Sequence, residues 1–148
     1  MCAFFVGDSM NKYLDVLLEL ANKAELIGDI PVGAIVVKDD EIIGQGFNNR
    51  VLTNDPTGHA EINAIKDACS KLGDWRLTDC DLYVTLEPCD MCLETIKESR
   101  ISNVYFILEN KEKHKYKRTN VSILNVDDKT RVNYKEKLSN FFDKNLNR

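Results

Sequence analysis

Between residues 11 and 27 the apolar positions Leu14, Leu17, Leu18, Ala21 and Ala24 recur at helical spacing, and Gly28 is placed to end that helix. Two short extended runs follow, 34–38 and 41–47. They flank Asp39-Asp40 and read as a hairpin. Gly44 and Gly46 either weaken the second run or mark a close approach of backbone to a ligand. The Asn, Asp, Thr, Pro and Gly content of 48–58 predicts a loop that delivers the chain to His59.

From 59 to 72 the residues Ile62, Ile65, Ala68, Cys69 and Leu72 share one helical face, and Gly73 stops the pattern. Residues 82–86 and 103–107 read as buried strands, with a helix over 89–99 between them. A last strand is expected at 121–126. Its direction stays open, because a parallel crossover needs roughly a dozen residues and barely that many remain. Residues 133–142 predict a closing helix that docks Leu138, Phe141 and Phe142 on the sheet. Alternating helices and strands of this kind indicate an α/β class.

Composition sets limits on function. The chain has 148 residues, 43% hydrophobic and 30% charged, enough for one ordinary domain with a real core and no need of a second. A formal net charge of −4 argues against a generic nucleic-acid binder while leaving room for a local basic face. Five cysteines without a framework spacing point to a reducing, intracellular compartment, the cytoplasm. No run approaches the roughly 20 apolar residues of a membrane span. The apolar opening, residues 1–6, lacks a basic lead and is not a secretory signal. Residues 1–10 are therefore expected to be a dispensable N-terminal tail ahead of a domain over 11–148.

The chemistry concentrates in two short stretches, His59-Ala60-Glu61 and Pro88-Cys89-Asp90-Met91-Cys92. His59, Cys89 and Cys92 suit zinc and leave one of its usual four positions for water, with Glu61 left over as a proton carrier. His59 offers either Nδ1 or Nε2. His59 and Glu61 in one first turn, and both thiols in another, bring two helix N-termini to one metal, where free N–H groups favour an anion. Cys69 lies about 15 Å along the helix from His59 and reads as core. Cys80 sits a strand's length from Cys89, and Cys2 belongs to the tail. His114 reads as a surface residue.

The order H-x-E followed by P-C-x-x-C is the signature of zinc-dependent nucleobase deaminases. Residues 30–102 resemble the bacterial tRNA adenosine deaminases of the cytidine deaminase superfamily. The resemblance runs through Ile30-Pro31-Val32-Gly33-Ala34, Asn54-Asp55-Pro56-Thr57-Gly58-His59-Ala60-Glu61, Trp75-Arg76-Leu77 and Leu82-Tyr83-Val84-Thr85-Leu86-Glu87-Pro88-Cys89. It implies a three-layer α/β/α fold with a mixed five-stranded sheet, usually a homodimer, and makes Asn48 the residue that hydrogen-bonds the flipped base. Gly58 stands where the family often has Ala, read as a minor change. Glu87 is read as structural in preference to pocket-facing.

The leading functional expectation is hydrolytic conversion of adenosine to inosine at the wobble position, in a tRNA anticodon loop. The alternative is deamination of a free base or nucleoside such as cytosine or guanine. Two departures bear on the choice. Leu93-Glu94-Thr95 adds bulk where the family has small residues, and the Gly- and Ala-rich loop expected after the strand at 103–107 is replaced by a basic stretch, 109–118. That stretch either contacts RNA phosphates, with Tyr116 available to stack, or is a solvated loop. A non-catalytic zinc module is disfavoured because it gives Glu61 no task.

Overall fold

The computed structural model describes the backbone of residues 2–111 and 120–145, and side chains from residue 12 within that set. Its elements are α1 (Cys2–Leu26), β1 (Gly33–Lys38), β2 (Glu41–Phe47), α2 (Arg50–Thr53), α3 (Ala60–Leu72), β3 (Asp81–Leu86), α4 (Asp90–Glu98), β4 (Asn103–Leu108), β5 (Val121–Ile123) and α5 (Asp128–Lys144). The five strands form one sheet in the order β2-β1-β3-β4-β5. β1 is antiparallel to both β2 and β3, whereas β3–β4 and β4–β5 are parallel. The sheet is mixed, as the family resemblance implied.

Strand alternation explains the layers. In β1, Ala34 and Val36 face one way and Ile35 and Val37 the other. The first pair joins Leu82, Val84, Val104 and Phe106 beneath α3 and α4, in a core that also holds Ala60, Ala64, Ile65, Ala68 and Ile96. The second pair joins Tyr83 and Ile107 beneath Tyr13, Leu17, Leu20 and Ala21 of α1 and Tyr134 of α5. Both faces of the sheet are thus covered. The hairpin between β1 and β2 forms as expected, with Asp39 and Asp40 at φ 50° and 63°, the left-handed pair that a two-residue turn requires.

Gly44 and Gly46 mark a close approach of a helix, not of a ligand. A Cβ on Gly44 would collide with the Ala64 carbonyl oxygen and the Ala68 methyl, and one on Gly46 with the Ala60 carbonyl oxygen and Ala64 nitrogen. These two glycines let α3 lie directly on β2, which sets where its N-terminus points.

The structure moves several expected boundaries. α1 begins at Cys2, so the helix runs through the segment expected as a tail; no proline interrupts residues 2–10, and an established helix propagates more readily than it nucleates. The loop after Asn48 contains the short α2. β5 is parallel and ends at Ile123. α5 starts at Asp128, earlier than the apolar pattern suggests, because the Asp127 side chain accepts a hydrogen bond from Thr130 N–H at 2.7 Å and caps it. Its buried anchor is Tyr134, while Phe142 is 47% exposed and does not dock on the sheet.

That anchor is polar as well as bulky. The Tyr134 hydroxyl donates to the Pro31 carbonyl at 2.8 Å and accepts from Thr85 Oγ1 at 2.8 Å, while Thr85 Oγ1 accepts from Gly33 N–H at 3.2 Å. Arg131 adds donations from Nε to Ile107 O and from Nη2 to Leu124 O, at 3.0 and 2.7 Å. α5 is therefore fastened to β3, to the ends of β4 and β5, and to the segment leading into β1.

Two stability predictions follow from this packing. Gly46→Ala lowers unfolding stability by about 1–3 kcal/mol, the usual cost of overpacking. Asp127→Ala costs about 1 kcal/mol through loss of the cap. Urea unfolding measures both.

Candidate metal centre and cleft

His59 is the N-cap of α3 with extended backbone, φ −88° and ψ 149°, and its side chain makes no capping bond. The cap is supplied by Asn48 instead, whose Oδ1 accepts from Ala60 N–H at 2.8 Å. This substitution releases the imidazole to face the cleft. Cys89 occupies the equivalent place on α4, an extended N-cap at φ −73° and ψ 172° with no side-chain capping bond. Cys92 lies in the first turn of α4 and is fully buried. The sequence placed His59 and Cys89 inside their first turns; each stands one position earlier, at the cap.

The three donors converge. His59 Nδ1 lies 3.7 Å from Cys89 Sγ and 3.4 Å from Cys92 Sγ, and the ligand atoms all fall within 4.8 Å of one another. Zinc–sulfur and zinc–nitrogen bonds of ordinary length at a tetrahedral angle put nitrogen and sulfur roughly 3.6 Å apart. Both separations suit a shared zinc ion, and Nδ1 is the ring nitrogen that faces the two thiols. Cys69 and Cys80 are not members of this cluster. Cys80 is buried in the core and Cys69 sits against the Trp75 carbonyl, while the side chain of Cys2 lies outside the described residues.

Protonation follows the same crowding. The Cys89 thiol is drawn down to about 4, first by its hydrogen bond with Cys92 and then by that with His59. Cys92 is pushed up by the same bond with Cys89 and by burial. His59 is raised, chiefly by its bond with Cys89. A cation bound here displaces the shared protons, so zinc affinity falls on acidification. Glu61, in the first turn of α3 and 4% exposed, is raised to about 7 by burial, against a smaller opposing effect of His59. A carboxyl held there exchanges a proton near neutrality, as a general acid and base must.

His59, Glu61 and Cys89 line a cleft of about 610 Å³. Asn48 and Arg50 are also among its lining residues. Part of the lining comes from α5, whose Arg131, Lys135, Leu138 and Phe142 follow one another at helical spacing. Reading the sequence missed this part, since residues 133–142 looked like sheet packing alone; the spaced cations were the available signal. Glu87 lines the cleft, and its Oε1 accepts from Asn110 N–H at 3.0 Å, which ties the exit of β3 to that of β4. Of the basic stretch 109–118, residues 112–118, including His114 and Tyr116, lie outside the described residues; Glu109, Asn110 and Lys111 stand on the cleft wall.

The profile of the cytidine and deoxycytidylate deaminase zinc-binding region matches residues 8–108. The chain is 42% identical over 125 residues to a tRNA-specific adenosine deaminase of Aquifex aeolicus, a match covering 84% of this chain and 80% of that protein. A solved structure from a study of A-to-I editing by tRNA:A34 deaminases at the wobble position superposes with a TM-score of 0.70 at 31% identity, covering 78% of this chain and 98% of the other. Guanine deaminase from Bacillus subtilis superposes at 0.63 with 44% identity, over 67% of this chain and 64% of its own.

Replacing Cys92 or His59 by Ala should reduce bound zinc from one per chain to a small fraction. Cys80→Ala should leave it unchanged. Metal analysis of the purified variants tests this, and full zinc in Cys92→Ala would remove that ligand.

Proposed function

Since this chain belongs to the cytidine and deoxycytidylate deaminase family, we propose that it hydrolyses adenosine to inosine at the wobble position of tRNA, releasing ammonia. The observation that carries this reading is the His59, Cys89 and Cys92 trio with Glu61 buried beside it at one cleft. In the proposed assignment the trio holds zinc through Nδ1 and two thiolates. When bound, zinc makes water nucleophilic near neutral pH and leaves the remaining chemistry to proton traffic. Glu61 removes a proton from the attacking water. It delivers that proton to the ring nitrogen, then takes the remaining proton from the hydroxyl added to the carbon and passes it to the departing amine, so that one water is consumed, a carbonyl is left and ammonia leaves.

Asn48 serves as the substrate's hydrogen-bond partner in this reading. Its Oδ1 is committed to Ala60 N–H, while its Nδ2 has no partner among the described residues and remains available to an acceptor on the base. An adenine stacked in a duplex cannot reach Glu61, so the substrate is a loop nucleotide extruded into the cleft. The anticodon loop meets that condition. Lys111 and Lys135 on the wall of the cleft supply cations beside it, although the whole chain is acidic.

The alternative reading, a deaminase of a free base such as guanine, draws on the Bacillus subtilis relative. The longer match to the Aquifex aeolicus protein, 80% of its length against 64% for the guanine deaminase structure, favours RNA. A homodimer is part of the proposal, and the exposed Val51 and Leu52 of α2 are surface that a second copy would cover. Among the described residues no helix is long and apolar enough to cross a membrane. The proposal assigns the protein to the cytoplasm, where reducing conditions keep the zinc thiols free.

Incubating purified protein with tRNA and, separately, with guanine and cytosine, scoring inosine against released ammonia, decides between the two substrates. Inosine at the wobble position is expected; ammonia from a free base with tRNA untouched overturns the RNA reading. Glu61→Gln should keep zinc and fold but lose turnover by roughly 10²- to 10⁴-fold, because the amide cannot carry a proton. Near-normal rates in that variant would take Glu61 out of the reaction.

A further inference from the structure

Arg50 opens α2 on the wall of the cleft, two residues after Asn48, and the chemistry above gives it no task. Its side chain is 37% exposed, in contrast to the buried Glu61. Arg50 Nη2 donates to Asp29 Oδ1 at 3.4 Å. Asp29 is itself immobilised: its side chain is fully buried, Oδ1 accepts from Ile30 N–H at 2.8 Å, and Oδ2 accepts from Val51 N–H at 3.0 Å. The guanidinium is thus gripped from one side by a fixed carboxylate. Its Nε, shielded from water, has no hydrogen-bond partner among the described residues. A guanidinium carries five N–H donors in a rigid plane, and a shielded donor left unmade is unfavourable.

The backbone under Arg50 is equally constrained. Asn49 N–H donates to the Gly58 carbonyl at 2.9 Å, and Asn63 Nδ2 donates to Asn49 Oδ1 at 2.9 Å. A Cβ on residue 58 would stand 2.6 Å from Asn49 Oδ1, 3.0 Å from Arg50 N and 3.1 Å from Arg50 Cα. A side chain at residue 58 would therefore crowd Asn49 and the Arg50 backbone. Its absence lets the Asn49-Arg50 segment close down on the residue before His59, and an added methyl would push Arg50 away.

We infer that Arg50 is a specificity-determining residue whose exposed guanidinium donors, not the shielded Nε, take a phosphate oxygen of the RNA backbone beside the extruded nucleotide, with Gly58 and Asp29 setting its position. The inference rests on the RNA reading proposed above. A base seated against the buried Glu61 leaves its sugar and phosphates at the more exposed rim, where the guanidinium is. An arginine fork matches phosphate geometry and is poorly matched to a neutral base edge seated deeper in the cleft.

The test compares an anticodon stem-loop with the same RNA carrying one uncharged methylphosphonate at either phosphate flanking the target adenosine. Arg50→Gln should raise KM for the native stem-loop by about 10- to 100-fold, the loss expected of one charge-assisted contact. Its kcat should stay within about twofold, as for an interaction made equally in ground and transition states. At one of the two positions the methylphosphonate should cost the wild type a similar factor and cost Arg50→Gln nothing further. Gly58→Ala, with zinc content and circular dichroism retained, should behave like Arg50→Gln. Multiplying losses at both positions, an unchanged KM in Arg50→Gln, or a wild-type KM in a folded Gly58→Ala would overturn the inference. A wild-type protein that ignores the stem-loop and deaminates a free base would overturn the RNA reading itself, a result distinct from any of these.

Discussion

The close packing of α3 on β2 is the constraint from which the rest of the site descends. Gly44 and Gly46 remove the side chains that would hold the helix off the strand, so the backbone of α3 rests against β2 at Ala60 and Ala64. That contact fixes the direction and height of the α3 N-terminus. The parallel β3–β4 pair, with α4 between its strands in the chain, brings the N-terminus of α4 to the same end of the sheet. Two helix starts then face one point, and their extended N-cap residues, His59 and Cys89, present side chains there. A shift of either helix by an ångström would spoil the nitrogen–sulfur separations of 3.4 and 3.7 Å.

Asn48 shows how one residue couples the fold to the chemistry. A histidine N-cap is a poor acceptor for the first N–H groups of a helix, and the His59 side chain makes no capping bond. Asn48, at the exit of β2, fills the gap with Oδ1. The strand that is packed under α3 therefore also caps it. Burial of Glu61 in the same turn raises its carboxyl to about 7, so the packing that positions this side chain also sets its affinity for the proton.

The α5 part of the cleft lining depends on a separate set of bonds. Tyr134 reaches the Pro31 carbonyl and Thr85, and Arg131 reaches the Ile107 and Leu124 carbonyls, so α5 is held by polar contacts at defined distances as well as by apolar burial. This explains how a helix with one fully buried residue still forms a well-placed boundary of the cleft. These two bonds give Arg131 a structural reason to lie there in addition to its place on the cleft.

From sequence alone the two halves of the candidate metal centre, the α/β alternation, the hairpin at Asp39-Asp40 and the helical faces of α1 and α3 were all legible, because each is a matter of residue type and local period. The roles of Gly44, Gly46 and Gly58 were not, since a missing side chain says nothing about which backbone approaches it. Nor was the start of α5: apolar spacing is weak over 128–132, and the decisive signal was a single capping bond from Asp127 to Thr130. The parallel direction of β5, the approach of Nδ1 to the two thiols, the α5 part of the cleft lining and the grip of Asp29 on Arg50 join residues far apart in the chain. Such contacts have no local period to betray them, and only the packed tertiary structure decides them.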